Sequence, residues 1–459
     1  MPAVPSLEIL ANISSVASPL EPGCPGNGDK FRTIHQIVIS CAATVWACTW
    51  MTLHLNIPPA HESALWRILR RLGITIVFIM APELVVAWAV RQWLVARRVT
   101  KKWQEHRLYY SSNGAKYADT WTNVHSFFAL MGGYVIYRPE EDSSVKEGEL
   151  VVTATVLDVD KEEDFEDLFN CEDSCAAFSA QEITDKGKRD WVSKGLALLQ
   201  TLNFIANCFA RVRQHLPLTQ AELGTCAFAI LNIVIYFLWW VKPQGINEYL
   251  HVGRKLRWEV KEDGKSRPGV QVNPRPPWWR RLSWPGLNIL KVIISLPVFS
   301  ALDMLSPVTP IARKGIQKSD THVPTFFTGE TGSFPDAPTL TLFTCACALI
   351  SGGVNAIAWN FIFPTNTERD VWRYCTLVIL SIPPAEIIWW FWIRPHDFFE
   401  FKSFWAYLRM IWHIPAAIGS AAYIIARLIL ISLSVTALRD PPSEILTTTS
   451  WTAIIPHII

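Results

Sequence analysis

Eight apolar stretches, each close to the length of a bilayer-crossing helix, alternate along this chain with strongly charged segments. A hydrocarbon core of about 30 Å takes roughly 20 apolar residues in helix. The stretches run 34–53, 72–96, 191–210, 218–241, 286–302, 339–363, 371–393 and 411–433. They predict an all-α, polytopic transmembrane helix bundle of about eight spans. Composition agrees: of 459 residues 50% are hydrophobic and 18% charged, with 22 Trp and 23 Phe. A soluble domain carries roughly 25% charged residues. The organisation that follows is an N-terminal tail (1–33), spans one and two (34–96), a soluble segment (97–190), and spans three and four (191–241). A basic loop (242–285), spans five to eight (286–437) and a C-terminal tail (438–459) complete the chain.

Two parts of the soluble segment differ in character. The stretch 120–137 is apolar but short, and Gly132-Gly133 weakens it as a helix. It reads as an interfacial or re-entrant segment packed under the bundle; a ninth crossing there would invert everything after it. From Glu140 to Asp190 there are 17 Asp and Glu against 5 Lys and Arg. This acidic run reads as a solvated loop, as an intramolecular partner of the basic loop, or as a cation-attracting vestibule. Within it, 149–159 alternates enough for one or two strands. The basic loop ends in Pro274, Pro276, Pro277, Trp278 and Trp279, a composition suited to anionic lipid at a leaflet surface.

Lys and Arg flanking the spans set orientation. With eight spans, the 97–190 and 242–285 segments lie on one side together with both termini, and their basic flanks place that side in the cytoplasm. One feature argues the other way. Asn12-Ile13-Ser14 is a glycosylation acceptor pattern, which works only in the lumen.

Charged residues inside spans are functional hypotheses by default. Glu83 sits mid-span directly after Pro82, where the missing backbone N–H frees a carbonyl one turn back. Arg91 lies two turns later on roughly the same face. A contact from Glu83 to Arg91, to another helix or to a freed backbone group is the structural expectation; a proton or ion site is the functional one. Glu386, after Pro383-Pro384, repeats the pattern, which resembles the broken-helix sites of transporters. Asn355, after Gly352-Gly353, marks a close helix contact in the sixth span. His125 is the acid available in the 120–137 stretch. Lys194, Glu222 and Lys291 lie near span ends, where snorkelling accounts for them.

The other motifs are absent. There is no G-x-x-x-x-G-K-[ST], no G-x-S-x-G and no H-E-x-x-H. Seven of the ten cysteines lie in apolar stretches and read as buried thiols; Cys171 and Cys175 lack a second ligand pair for zinc. No cofactor or metal is expected, and no basic domain suggests nucleic acid. The expected partner is the bilayer, with a small-molecule or ion substrate that the residues do not name.

Several strings resemble a family of uncharacterised multi-span integral membrane proteins of filamentous, mostly basidiomycete fungi. They are Trp46–Trp50 with Asn56-Ile57-Pro58, Ala81-Pro82-Glu83-Leu84, Trp121–Gly133, Ile183–Lys186, Trp239-Trp240-Val241-Lys242-Pro243, Ala358–Phe361 and Ile454–His457. Gly187-Lys188-Arg189-Asp190 departs from the family's Ser-Lys-Gly-Asp. The resemblance implies a fungal origin and a membrane location, and it carries no catalytic residues. Three functions fit this chain: a transporter or channel-like protein using Glu83 and Glu386, an enzyme acting on a lipid or isoprenoid with acid chemistry from Glu83 or His125, and a scaffold or sensor working through the charged loops.

Overall fold

The decisive turn of the fold is written in Met80-Ala81-Pro82-Glu83. A computed structural model of the chain describes residues 31–58, 62–111, 121–139, 152–156, 179–187, 190–246, 249–252, 323, 326–328, 337–393 and 402–449. In it, helix α2 (Ala64–Met80) stops at Ala81, whose φ of −146° and ψ of 72° leave the helical region. Proline disfavours the helical conformation in the residue before it. Pro82 then opens helix α3 (Pro82–Ser111), where its missing N–H is no loss. Glu83 falls in the first turn, at the positive end of the helix dipole. The two helices meet at 109°. A straight second span over 72–96 is thus corrected to a bent pair. Hydropathy registers apolar length but not direction.

The remaining helices are α1 (Ile34–Thr52), α4 (Asn123–Leu130), α5 (Ala180–Lys186), α6 (Asp190–Arg213), α7 (Gln220–Leu238), α8 (Ala337–Ile357), α9 (Asn366–Ile393) and α10 (Lys402–Thr436). Capping boxes set several starts: Thr33 with Gln36 for α1, Ser179 with Glu182 for α5 and Thr219 with Glu222 for α7. Among the described residues, four helical stretches are long and apolar enough to cross a membrane: Ile34–Thr52, Gln220–Leu238, Leu342–Asn360 and Ile418–Arg439. The bent pair makes a fifth if counted as one span. Helices α6 and α9 cover the expected spans 191–210 and 371–393 but are not among these. The expected span 286–302, the acidic core 140–151 and 157–178, and most of the 242–285 loop lie outside the described residues.

Contacts fix how the helices run. At one face of the bundle, Arg32 before α1 meets Glu222 at the start of α7, and Arg211 near the end of α6 bonds the Pro217 carbonyl. At that same face Gln220 bonds the Ile362 carbonyl between α8 and α9, and Arg439 after α10 pairs with Glu368 in α9. The two termini also meet there, through the Arg32 bond to the Ile445 carbonyl and a bridge between Phe31 and Thr447. We call this the terminal face. At the opposite face, the loop face, Lys194 early in α6 bonds the Trp240 carbonyl after α7. Helices α1, α6, α7, α8, α9 and α10 therefore alternate in direction.

The bent pair does not continue that alternation. Arg71 in α2 bonds the Trp50 carbonyl at the loop-face end of α1. Phe78, two turns on, stacks against Phe228 in the middle of α7. Helix α3 then starts deep in the bundle and returns, so that Gln92 meets Asn56 just beyond α1. Both ends of the pair lie at the loop face; it is a bent helical hairpin. The 97–190 and 242–285 segments consequently leave from the face opposite the termini, which corrects the expectation that all four share one side. Leu250–Val252 and Phe326–Thr328 also pack at the loop face.

Beyond that face sits a small sheet of strands β1 (Tyr134–Pro139), β2 (Val152–Val156) and β3 (Leu250–Val252), in the order β2-β1-β3. β1 pairs antiparallel with β2 (Tyr137 opposite Ala154) and parallel with β3 (Tyr134 opposite Leu250). β2 falls within the alternating 149–159 segment. The 120–137 stretch resolves into α4, a turn and β1; eight helical residues reach only about 12 Å. Gly132 takes φ +79° in that turn, and a Cβ on Gly133 would stand 2.4 Å from the Phe128 ring. The chain is mostly helical, as expected.

Candidate functional site

Helix α3 carries three buried polar layers, spaced along its axis at about 1.5 Å per residue. The deepest surrounds the hairpin tip. Arg427 of α10 donates from Nη1 to Glu83 Oε1 at 3.0 Å and to Ser351 Oγ of α8 at 2.9 Å. Both charged side chains are 7% exposed. Tyr423, one turn before Arg427, lies beside the pair, and Cys347, one turn before Ser351, faces Glu83. The Tyr423 hydroxyl is within hydrogen-bonding reach of both Glu83 and Arg427. Ser351 is 14 residues into α8, so the tip lies about 21 Å in from the loop face. A carboxylate, a guanidinium, the Tyr423 hydroxyl and a helix N-terminus converge within the bundle, an arrangement able to bind and release a cation or proton.

The second layer lies about 13 Å along α3, at Trp88 and Gln92. Lys242 is fully buried there. Its Nζ bonds the His54 carbonyl and Gln92 Oε1, the latter at 2.8 Å. The Trp88 and Trp239 rings flank it at 4.9 and 4.6 Å. Gln92 Nε2 donates to the Phe327 carbonyl at 2.8 Å, and Asn56 Nδ2 donates to the same oxygen at 3.3 Å. Burial pushes the Lys242 ammonium well below the ordinary lysine value. His54 is likewise buried and held well below the ordinary histidine value, by desolvation and by the nearby Lys194 and Lys242.

The third layer, some 25 Å from Glu83 along α3, joins α3 to α4. Thr100 Oγ1 bonds Asn123 Oδ1 at 2.8 Å and Ser126 Oγ at 2.7 Å, and Trp121 stacks between Trp103 and His125. His125 Nδ1 accepts from the Thr122 backbone N–H at 3.1 Å, closing the cap of α4. Two cavities open elsewhere. A polar one of about 260 Å³ at the terminal face is lined by Arg32, Cys41, Asn207, Arg211 and Glu222. An apolar one of about 180 Å³ lies among Trp93, Val234, Phe237 and Phe343. Neither is lined by Glu83.

Residues 10–257 match the family model DUF8562, a family of unknown function, over more than half of the chain. The chain belongs to that family. No curated protein and no solved structure matches it. The DUF8562 span takes in the α2–α3 hairpin, the side chains of the Lys242 layer and the layer at His125, whereas Phe327 lies beyond it. Arg427, Ser351 and Tyr423, the surroundings of Glu83, lie beyond it. Several helices on both sides of that boundary have the length and apolarity of membrane spans.

The residues singled out in the sequence fall at different places in this DUF8562 protein. Glu83 meets another helix, α10, in the deepest layer. Arg91 is buried further along α3. Asn355 lies one turn beyond Ser351, where its Nδ2 bonds the Ser351 carbonyl and its own carbonyl accepts from Trp372 Nε1 at 3.2 Å. Beside it Gly352 packs against Ile379 and Leu380 of α9, where a Cβ would stand 2.9 Å from the Leu380 side chain. His125 is remote from Glu83. Glu386 lies within α9 after Pro383-Pro384, and its side chain is outside the described residues. Among the described residues no cluster of His, Cys, Asp or Glu is placed to hold a metal, and the described cysteines are free thiols.

Sequence reasoning missed Arg427 as the partner of Glu83, and it assigned Lys242 to the basic, lipid-facing loop 242–285. It read Lys194 and Glu222 as snorkelling side chains. Lys194 is buried on backbone carbonyls, and Glu222 is buried in an ion pair and a helix cap. The string Trp239-Trp240-Val241-Lys242-Pro243 held the available signal for Lys242, because two indoles beside a lysine offer it ring faces.

Proposed function

We propose that this protein is a multi-pass membrane protein that moves a small ion or polar solute across the bilayer, with Glu83 and Arg427 as the gate. In this reading α1, α6, α7, α8, α9 and α10 cross the membrane. The α2–α3 hairpin enters from the loop face and returns to it. One observation carries the reading: a buried carboxylate stands at a helix break deep among the helices, paired to an arginine of another helix. Non-helical backbone at that depth is tolerated where protein buries it or where it lines an aqueous path. Broken helices that aim an N-terminus at the bundle centre are how transporters bind ions. The enzyme reading, in which His125 would assist Glu83, loses force because some 25 Å of α3 separates them.

The test is flux. Purified protein in proteoliposomes is assayed for proton, alkali-cation and small organic-ion uptake. Glu83→Gln keeps the shape of the side chain and removes its charge, so uptake should fall at least tenfold while the variant remains folded in detergent. Undiminished uptake in folded Glu83→Gln refutes the assigned role. Lys and Arg along the loop face suit anionic lipid, and vesicles with and without such lipid test that partner in the same assay.

A further inference from the structure

We propose that the ion moved at Glu83 is a small monovalent anion of chloride, nitrate or formate size, carried together with a proton. The inference deepens the transport reading above and rests on it. Charge is the first observation. The deepest layer holds one carboxylate and one guanidinium, 3.0 Å apart and each 7% exposed, so the pair is neutral as it stands. The donors are the second. Arg427 and Tyr423 of α10 and Cys347 of α8 face Glu83, Ser351 of α8 accepts from Arg427, and Arg91 lies two turns along α3 itself. The guanidinium, the hydroxyls and the positive end of α3 favour negative charge. A divalent cation instead takes about six oxygen ligands, and among the described residues no cluster of His, Cys, Asp or Glu is placed to hold a metal. Space is the third. Neither cavity is lined by Glu83, so an occupant has little more than the volume that the carboxylate itself gives up.

A proton on Glu83 cancels its charge but not that of Arg427, whose guanidinium keeps its proton. A buried charge without a counter-charge is costly. An anion that takes the place of the carboxylate on Arg427 removes that cost. Ser351 Oγ accepts from Arg427, which leaves its own O–H to donate to the anion. The layer then has two neutral states. In one, Glu83 pairs with Arg427. In the other, a proton sits on a Glu83 carboxyl oxygen, and one anion sits on Arg427. Proton and anion therefore raise each other's affinity, and each cycle carries one of both with no net charge.

The first test needs no transport. In detergent, folded Glu83→Gln presents the guanidinium without its competitor. Nitrate should stabilise it against heat at a concentration about tenfold or more below that needed by wild type. The double variant Glu83→Gln/Arg427→Met should gain nothing from nitrate, which separates binding from a general salt effect. Wild type supplies the same test without a variant: its nitrate affinity should rise as pH falls. The second test is flux in proteoliposomes. An inward nitrate or chloride gradient should acidify the lumen without current. Glu83→Gln should lose this net uptake at least tenfold yet keep nitrate-for-nitrate exchange. Nitrate affinity of wild type that ignores pH overturns the proposal, as does equal stabilisation of the double variant. Glu83-dependent uptake of sodium or potassium overturns the anion assignment and leaves the gate standing. Lumenal alkalinisation by the nitrate gradient overturns the coupling. Folded wild type that moves no ion at all refutes the gate and this proposal with it.

Discussion

Neutralising one member of the Glu83–Arg427 pair should destabilise this protein far more than removing both. The pair is 3.0 Å apart, and each side chain is 7% exposed. Glu83→Leu leaves a guanidinium enclosed by Ser351 and Tyr423, neither of which carries charge. Arginine does not escape by losing a proton. Breaking a buried pair on one side costs about 3–5 kcal/mol, two to nearly four decades in the folding equilibrium. Arg427→Met leaves a carboxyl, and an isolated buried carboxyl can neutralise itself by binding a proton. Its loss should therefore be the smaller of the two. The double variant leaves no buried charge in the layer and should recover at least about 2 kcal/mol of the summed single losses. The assay is denaturant-driven unfolding in lipid bicelles, followed by tryptophan fluorescence. Losses that add to within about 0.5 kcal/mol would show that the two residues are not coupled. Arg427→Met proving worse than Glu83→Leu would refute the argument about neutralisation.

Other expectations concern the remaining layers and turns. Lys242 has a folded pKa below its unfolded value, so the unfolded state holds more protons between the two. Stability should rise with pH through that window and level off above about 10.4, the ordinary lysine value; Lys242→Met should flatten the rise, and an unchanged slope would locate it in another group. Gly133→Ala places a Cβ 2.4 Å from the Phe128 ring and should lower stability by about 1–3 kcal/mol, measured in the same unfolding assay. Gly352→Ala meets the end of the flexible Leu380 side chain at 2.9 Å and should be the milder substitution; the reverse order would contradict the packing. For the α2–α3 hairpin, cysteines at Ser63 and Lys102 in a cysteine-free background should react with an impermeant maleimide from the same side of sealed vesicles. Labelling from opposite sides would make the hairpin a crossing.

How much was legible in the sequence depends on whether a signal is local. The proline at 82 and the strand in 149–159 are encoded within a few residues, and both were read; the capping boxes at Thr33 and Thr219 are just as local but were not. The direction in which α3 leaves the break is not encoded locally. It is set by Phe78 against Phe228 and by Gln92 against Asn56, contacts between distant segments. Hydropathy therefore gave one straight span where there is a hairpin, and the error in sidedness followed from that one crossing. The same holds for the site. A charge within an apolar stretch identified Glu83, but its partner lies 344 positions away. Lys242 misled in the opposite sense: a basic residue beside a basic loop reads as solvated until the fold closes Trp88, Trp239 and Gln92 around it.

The two deeper layers share helix α3, and this bears on how a gate at Glu83 could work. Helix α3 is held at Gln92 by several hydrogen bonds to the loop-face segments and at Glu83 by a single ion pair to α10. The Gln92 end has bonds to Asn56, Phe327 and Lys242, whereas the tip depends on Arg427 alone for its counter-charge among the described residues. Loss of the Glu83 charge would release the tip while the Gln92 anchor stayed in place, so α3 would pivot near Trp88 rather than withdraw. Glu83→Gln should then increase hydrogen exchange at 81–87 and leave 90–96 protected. Equal deprotection of both segments would mean that the hairpin moves as one unit and that the Lys242 layer is no anchor.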